Sequence, residues 1–232
     1  MQLIDRGCRS WQVSINVAKL IAAQENGRLR DALAQASLVN ADGQPIVWAS
    51  KLLRDPLPER VAGIDLMHAL LALAARKGYR VYLLGATAEV LRETQVRLLE
   101  TYPGLTVCGT HHGYFPETES AMVCEHISRA SPNLLLVAMS SPKKEYFLAD
   151  HAEDTGATLA MGVGGAFEVV AGVRRRAPRW MQRAGMEWLF RLSQDPRHLA
   201  RRYATSNVRF VLLLLRELVR SRPRRDDRPG DG

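Results

Sequence analysis

The chain has 232 residues, 47% of them hydrophobic, which is enough to bury one sizeable core in a single α/β domain. Its three cysteines, Cys8, Cys108 and Cys124, have no CxxC spacing and follow no apolar leader; a disulfide scaffold and a thiolate metal cluster are excluded, and a reducing cytosol is expected. The net charge of +8 is lopsided: residues 174–232 carry 16 Arg and no Lys against 6 acids, a balance of +10, and the rest of the chain stands at −2.

Gln12–Asn16, QVSIN, alternates weakly and is expected as a strand. Residues 17–36 fit one long helix or two short ones, interrupted near Asn26-Gly27. Leu38–Ala41 is the next expected strand and ends at Asp42, where Gly43 turns the chain into a short apolar helix, PIVWASKLL. A Pro-bounded loop then carries Glu59 and Arg60. Asp65 is placed to cap a helix whose Met67, Leu70, Leu71 and Ala74 recur at helical spacing up to Gly78.

Arg80–Gly85, RVYLLG, reads as a buried strand, and Thr87 caps a helix running to about Thr101. A strand is expected over Leu105–Cys108, then the HHGYF loop and a helix from Glu117 to about Ala130. Asn133–Ala138, NLLLVA, is the most apolar strand; it ends in MSSPKKE, where Pro142 suits the first turn of a helix. Ala157–Met161 is the last strand, followed by the glycine turn GVGGAF and a helix to Gly172. Alternating strands and helices predict a largely parallel sheet covered on both faces.

Residues 1–194 are expected as the α/β core, 195–222 as an Arg-rich helical appendage, and 223–232 as a disordered tail. Arg179–Gln194 reads as one helix, and Pro196 opens another running to about Arg220. The run FVLLLL within the second is far too short to span a bilayer. Arg202, Arg209 and Arg216 recur every seven residues beside a broad apolar face, a pattern suited to an anionic membrane surface. The same face also suits packing on the sheet or on another subunit. Arginine-only usage favours bidentate contact with anions such as lipid head groups, diphosphates or nucleic acid.

Chemistry in an open α/β sheet gathers outside the C-terminal strand ends, which places Asp42 where an active carboxylate would stand. Asp-Gly is also a common turn dipeptide, and spacing alone slightly favours Asp42 as an ordinary turn residue. GVGGAF follows a strand and opens a helix, so backbone N–H groups at Gly162, Gly164 and Gly165 are candidates to face a phosphate. It lacks the third glycine of a dinucleotide fingerprint and comes last in the chain, so NAD is not implied. There is no P-loop, no HEXXH and no DxD in the body of the chain, and His111-His112 has no acidic or cysteine partner nearby. No metal and no cofactor are expected. Charge on a diphosphate would then have to be met by cationic side chains.

The motifs NADGQPIVWASKLL, PLPERVAGIDL, SSPKKE, GVGGAFEVVAG and RAPRWMQRAGMEWLFRL…DPRHLARRY occur in order from Val13 to about Tyr203. Together they resemble the WecG/TagA/CpsF family of bacterial glycosyltransferases. The resemblance implies a Rossmann-like domain of GT-E type with a C-terminal helical appendage. It implies an inverting, metal-independent transfer from a UDP-sugar to a sugar on undecaprenyl diphosphate, at the cytoplasmic face of the plasma membrane. Donors among relatives are of N-acetylmannosamine, N-acetylmannosaminuronic acid and glucose type; products include enterobacterial common antigen, teichoic-acid linkage units and exopolysaccharides.

Carried over by position, the family's catalytic aspartate falls on Asp42, and its Thr-x-Asn pair on Ser14 and Asn16. The arginine of PLPERVAG is Arg60, and Lys144 stands where the family has glutamine. Glu168 takes the place of an aspartate after GVGGAF, a nucleoside contact. Appendage arginines fall on Arg191 and Arg201, and a third position on His198 with Arg197 beside it. Asp42, Arg191 and Arg201 are thus the implied catalytic set, with Asn16 also able to serve merely as a helix cap and Arg60 as a partner of Glu59.

Two readings of other classes remain. A nucleic-acid-binding protein would use the Arg tail, although the 15 aromatic residues do not interleave with it. A non-catalytic scaffold of a polysaccharide assembly complex would use the same helix for recruitment. The oligomeric state is left open, a homo-oligomer included.

Overall fold

Strand β1 (Ser10–Ile15) lies inside the sheet and takes a parallel neighbour on each side: β2 (Leu38–Ala41), in the register Gln12↔Leu38 to Ile15↔Ala41, and β6 (Leu159–Gly162), in the register Ser10↔Leu159 to Gln12↔Met161. The structure is a computed structural model that describes residues 9–220. With β3 (Arg80–Gly85), β4 (Thr106–His111) and β5 (Leu134–Ala138), the sheet has the order β2-β1-β6-β5-β3-β4, and every pair in it is parallel. All six strands therefore end on the same side, and their C-terminal ends form one mouth.

Side-chain alternation along each strand separates two cores. Val81, Leu83, Leu134 and Leu136 point to one face, where α4 (Gly63–Lys77), α5 (Ala88–Thr101) and α8 (Ala166–Val170) cover them. Tyr82, Leu84, Leu135 and Val137 point to the other, under α6 (Ser120–Arg129) and α7 (Lys143–His151). The central leucines are essentially inaccessible, each contributing about 1.5–3 kcal/mol of burial free energy. A third, smaller cluster joins α1 (Val17–Glu25) and α3 (Gln44–Leu52) to the long α11 (Pro196–Arg220) through Val17, Ile21, Ala49 and Phe210.

Local signals account for most boundaries. Asn26 closes α1 and opens α2 (Gly27–Ala34), accepting from the Leu29 amide at 3.0 Å, so the expected interruption is a real break. Thr87 caps α5 as expected, and Gly78 at φ +68° ends α4. Asp65 instead lies inside the first turn of α4, whose N-cap is Ala62. β4 runs on to His111 rather than stopping at Cys108. The segment expected as one helix over Arg179–Gln194 is two, α9 (Arg179–Arg183) and α10 (Glu187–Gln194), separated where Gly185 takes φ +70°. Cys8 and the expected disordered tail lie outside the described residues.

At Gly85 the ends of β3 and β5 come close together. Its φ is +125°, and a Cβ there would stand 2.4 Å from the Ala138 carbonyl oxygen. The Ala86 amide donates to that same oxygen at 2.9 Å, so the backbone has no room to yield. Gly85→Ala is expected to cost at least about 1–3 kcal/mol, read as a lowered midpoint in urea unfolding.

Candidate active site

Asp42 stands one residue beyond β2, and its amide donates to the Ile15 carbonyl at 2.8 Å, extending the β1–β2 ladder past the last strand residue. The acid is half-buried. Beside it, Gly43 packs over the end of β1: a Cβ there would be 3.5 Å from Asn16 Cα. The loop leaving α3 returns to the same place. The Val61 amide donates to the Ala41 carbonyl at 2.9 Å, and Asn40 Nδ2 donates to the Val61 carbonyl at 2.6 Å.

Ser14 and Asn40 face each other across the β1–β2 register. The Ser14 hydroxyl donates to Asn40 Oδ1 at 3.1 Å and accepts from Gln12 Nε2 at 3.1 Å, and Gln12 Nε2 also donates to Asn40 Oδ1. Gly63 lies against Ser14, where a Cβ would come within 3.1 Å of the hydroxyl oxygen. Ser14 thus serves as a buried link in the wall beneath Asp42. Asn16 is the side-chain cap of α1, its Oδ1 accepting from the Lys19 amide at 3.0 Å.

A buried carboxylate organises the adjoining wall. Glu145 is fully buried, with Lys19 Nζ 2.8 Å from Oε1 and Lys144 Nζ 2.7 Å from the same oxygen. Lys19 Nζ also donates to the Ser14 carbonyl at 2.5 Å, tying α1 and α7 to the end of β1. Desolvation acts to raise the Glu145 pKa, but the two ammonium groups outweigh it and hold the carboxyl below its usual range. Lys144 is therefore engaged inside the protein, and its stem packs 3.3 Å from where a Gly162 side chain would begin.

Gly162 ends β6, between β1 and β5, and Gly164 takes φ +54° in open space. The helix that follows, α8, has only five residues, so its end carries a small dipole, less than the phosphate-facing helix expected. Glu168 is paired with Arg174 at 2.8 Å. Arg60 is mostly buried and meets Glu187 of α10 at 3.4 Å rather than Glu59. The mouth thus assembles Asp42, Ser14, Asn16, Gly162 and Lys144 from four adjacent strand ends. Arg191 occupies α10, and Arg197, His198 and Arg201 occupy the first turns of α11; their side chains, with that of Arg202, lie outside the described residues. Among the described residues, no group of three or more His, Cys, Asp or Glu side chains is arranged to hold a metal ion.

Asn40, Arg176 and Glu187 lie inside the quoted motifs but nothing local assigns them a role, and Lys19 and Gln12 lie outside those motifs. Their partners lie up to 127 residues away, and Glu145 is likewise inside a motif, next to Lys144 in SSPKKE.

Residues 1–224 match the model of the WecG/TagA/CpsF glycosyl transferase family, and the chain belongs to that family. It is thereby a glycosyltransferase of cell-surface polysaccharide synthesis, with a sugar-nucleotide donor and a lipid-linked acceptor in general. Among the described residues no helix is long and apolar enough to cross a membrane.

Removing the charge of Glu145 leaves two buried ammonium groups facing one another. Glu145→Gln is expected to cost about 3–5 kcal/mol in denaturant unfolding. Because folding depresses its pKa, the carboxylate's contribution is present above the unfolded value and is lost as pH falls through the folded one. Wild-type stability should therefore drop on acidification below the usual glutamate range more steeply than that of the variant, as measured by unfolding across a pH series.

Proposed function

We propose that this WecG/TagA/CpsF glycosyltransferase transfers a sugar from a UDP-sugar, of N-acetylmannosamine, N-acetylmannosaminuronic acid or glucose type, to a sugar on undecaprenyl diphosphate, with inversion and without a metal. The observation that carries the reading is the half-buried Asp42 at the sheet mouth, whose backbone amide donates to the Ile15 carbonyl and so sets the acid beside the end of β1. Asp42 takes the proton from the acceptor hydroxyl as its oxygen attacks the anomeric carbon. The bond from that carbon to the diphosphate oxygen breaks, and its electron pair leaves with UDP. Arg191 and Arg201 meet the charge of the leaving nucleotide, with Arg197 and His198 alongside. Asn16, Arg60 and the Gly162–Gly165 turn form the substrate-facing wall, backed by the buried Ser14 and Lys144, and Glu168 forms the nucleoside side. Residues 195–222 act as the membrane-associating appendage of a core over 1–194.

The place of action is the inner face of the plasma membrane, on anionic lipid. Val208, Val211, Leu212, Leu215 and Val219 of α11 are exposed, as are Trp48 and Leu52 of α3. Arg216 and Arg220 share that helix, as does Arg209, which pairs with Glu25. This combination of apolar side chains and guanidinium groups fits an interfacial helix.

Asp42→Asn is expected to lower turnover about 10²–10⁴-fold with the fold intact. The measurement is a UDP-sugar panel assayed with a short-chain lipid-diphosphate sugar. Unchanged turnover in the variant removes the base assignment, and no turnover by either protein favours the scaffold reading. Salt-sensitive retention on DNA without UDP affinity favours the nucleic-acid reading. Wild type is expected to sediment with phosphatidylglycerol vesicles less strongly as salt rises. The pair Val211→Glu and Leu215→Glu should reduce vesicle binding at least about 10-fold, given about 1.5–3 kcal/mol per buried aliphatic side chain; unaffected binding would refute this face as the lipid contact.

A further inference from the structure

The start of α10 touches the Asp42 loop on both sides. At Gly185 the chain runs so close to Gln44, two residues after Asp42, that a Cβ would stand 2.7 Å from the Gln44 Cβ. Two residues on, the mostly buried Glu187 presents Oε2 to Arg60 Nη1 at 3.4 Å and Oε1 to Arg176 Nε at 3.7 Å. Arg60 precedes Val61, whose amide is bonded to the Ala41 carbonyl, so the Arg60 backbone is held next to the end of β2, just before Asp42. Arg176 is itself oriented by a bidentate fork on Asp65, at 2.6 and 2.7 Å. One carboxylate therefore lies between two guanidinium groups, one from the loop that leaves α3 and returns to Asp42 and one from the segment leading to the appendage.

We propose that Glu187 is a positioning residue that docks α10 and α11 on the Asp42 loop and holds Arg60 in place, so that the helices carrying Arg191 and Arg201 are set against the acid. The separations of 3.4 and 3.7 Å make this a charge contact more than a pair of well-formed hydrogen bonds. Without the carboxylate, Arg60 and Arg176 are like charges in a partly buried setting, and the docked arrangement loses its central anion. Arg191 lies four residues after Glu187 on the same helix, so a shift in the seating of Glu187 moves the backbone of Arg191 with it. The catalytic consequence rests on the glycosyl-transfer reading; the docking does not.

The test is Glu187→Gln, which keeps the shape and removes the charge, with Asp65→Asn as a second variant that releases Arg176 instead. Amide hydrogen exchange over α10 and α11 should quicken about 10-fold in Glu187→Gln and less in Asp65→Asn, and UDP affinity by calorimetry should weaken by about the same factor. In turnover, KM for the donor should rise more than kcat falls. Arg60→Gln added to Glu187→Gln should cost less than about 2-fold more, because both break one contact. Wild-type exchange in Glu187→Gln overturns the docking role, and losses that multiply in full overturn the link to Arg60. Should wild type neither bind UDP nor turn over any donor, the functional reading fails, while the exchange measurement still decides the docking.

Discussion

The hydrogen bond from the Asp42 amide to the Ile15 carbonyl is the constraint on which the rest of the site depends. It adds one rung to a parallel ladder that otherwise ends at Ile15↔Ala41, so the acid is placed by sheet register rather than by loop conformation. Register is demanding here because a slip of one residue would turn Trp11 and Val13 out of their core and bring Gln12 and Ser14 into it. The apolar packing of β1 thus fixes the height of Asp42. Since the strands are parallel, the same register brings the ends of β6 and β5 level with it, carrying Gly162 and, through the next turn, Lys144.

Two charged clusters then fasten helices to this mouth, and each is a carboxylate between two cations. Lys19, Glu145 and Lys144 join α1 and α7 to the end of β1. Arg60, Glu187 and Arg176, with Asp65 behind, join α10 to the loop that leaves α3. Burial makes an unpaired charge costly, so these groups are tied to their partners and specify where the helices sit. The polar chain from Gln12 through Ser14 and Asn40 to the Val61 carbonyl does the same for the returning loop. Side chains that resemble substrate contacts in the sequence also hold up the wall on which a substrate would lie.

The sheet was legible because its signals are local. NLLLVA and RVYLLG are continuous apolar runs, as strands buried on both faces require, and Thr87 and Asn26 are caps whose chemistry is written within three residues. The break at Gly185 was not legible: apolar residues keep helical spacing through Arg179–Gln194, and one glycine is tolerated inside a helix unless tertiary contacts use its freedom. Here the close approach to Gln44 uses it. Asp65 has the composition of a cap but is drawn into the first turn of α4, where it takes the fork of Arg176. Lys19 reads as an ordinary helical lysine, because nothing in its neighbourhood announces a carboxylate 126 residues on. Positions in the site follow from strand ends; the partnerships that hold them come from long-range packing, which spacing does not encode.

Helix α11 has two apolar strips, one packed and one exposed. Phe210, Leu213 and Leu214 seat it on α1 and α3, and Val208, Val211, Leu212, Leu215 and Val219 remain outward. The helices beneath it are not arbitrary ones. α1 begins immediately after Asn16, and α3 begins two residues after Asp42, so both grow directly out of the candidate site. α3 also presents Trp48 and Leu52 to the outside. At about 1.5 Å per residue, its nine residues span about 13 Å, so its outer apolar face begins within a short helix's length of the acid. A lipid-linked sugar lying against this apolar surface would have its polar end within reach of the sheet mouth, with no need for the protein to cross the bilayer. The fold thereby sets the acid beside the starts of α1 and α3, the two helices on which α11 and its exposed apolar strip are seated.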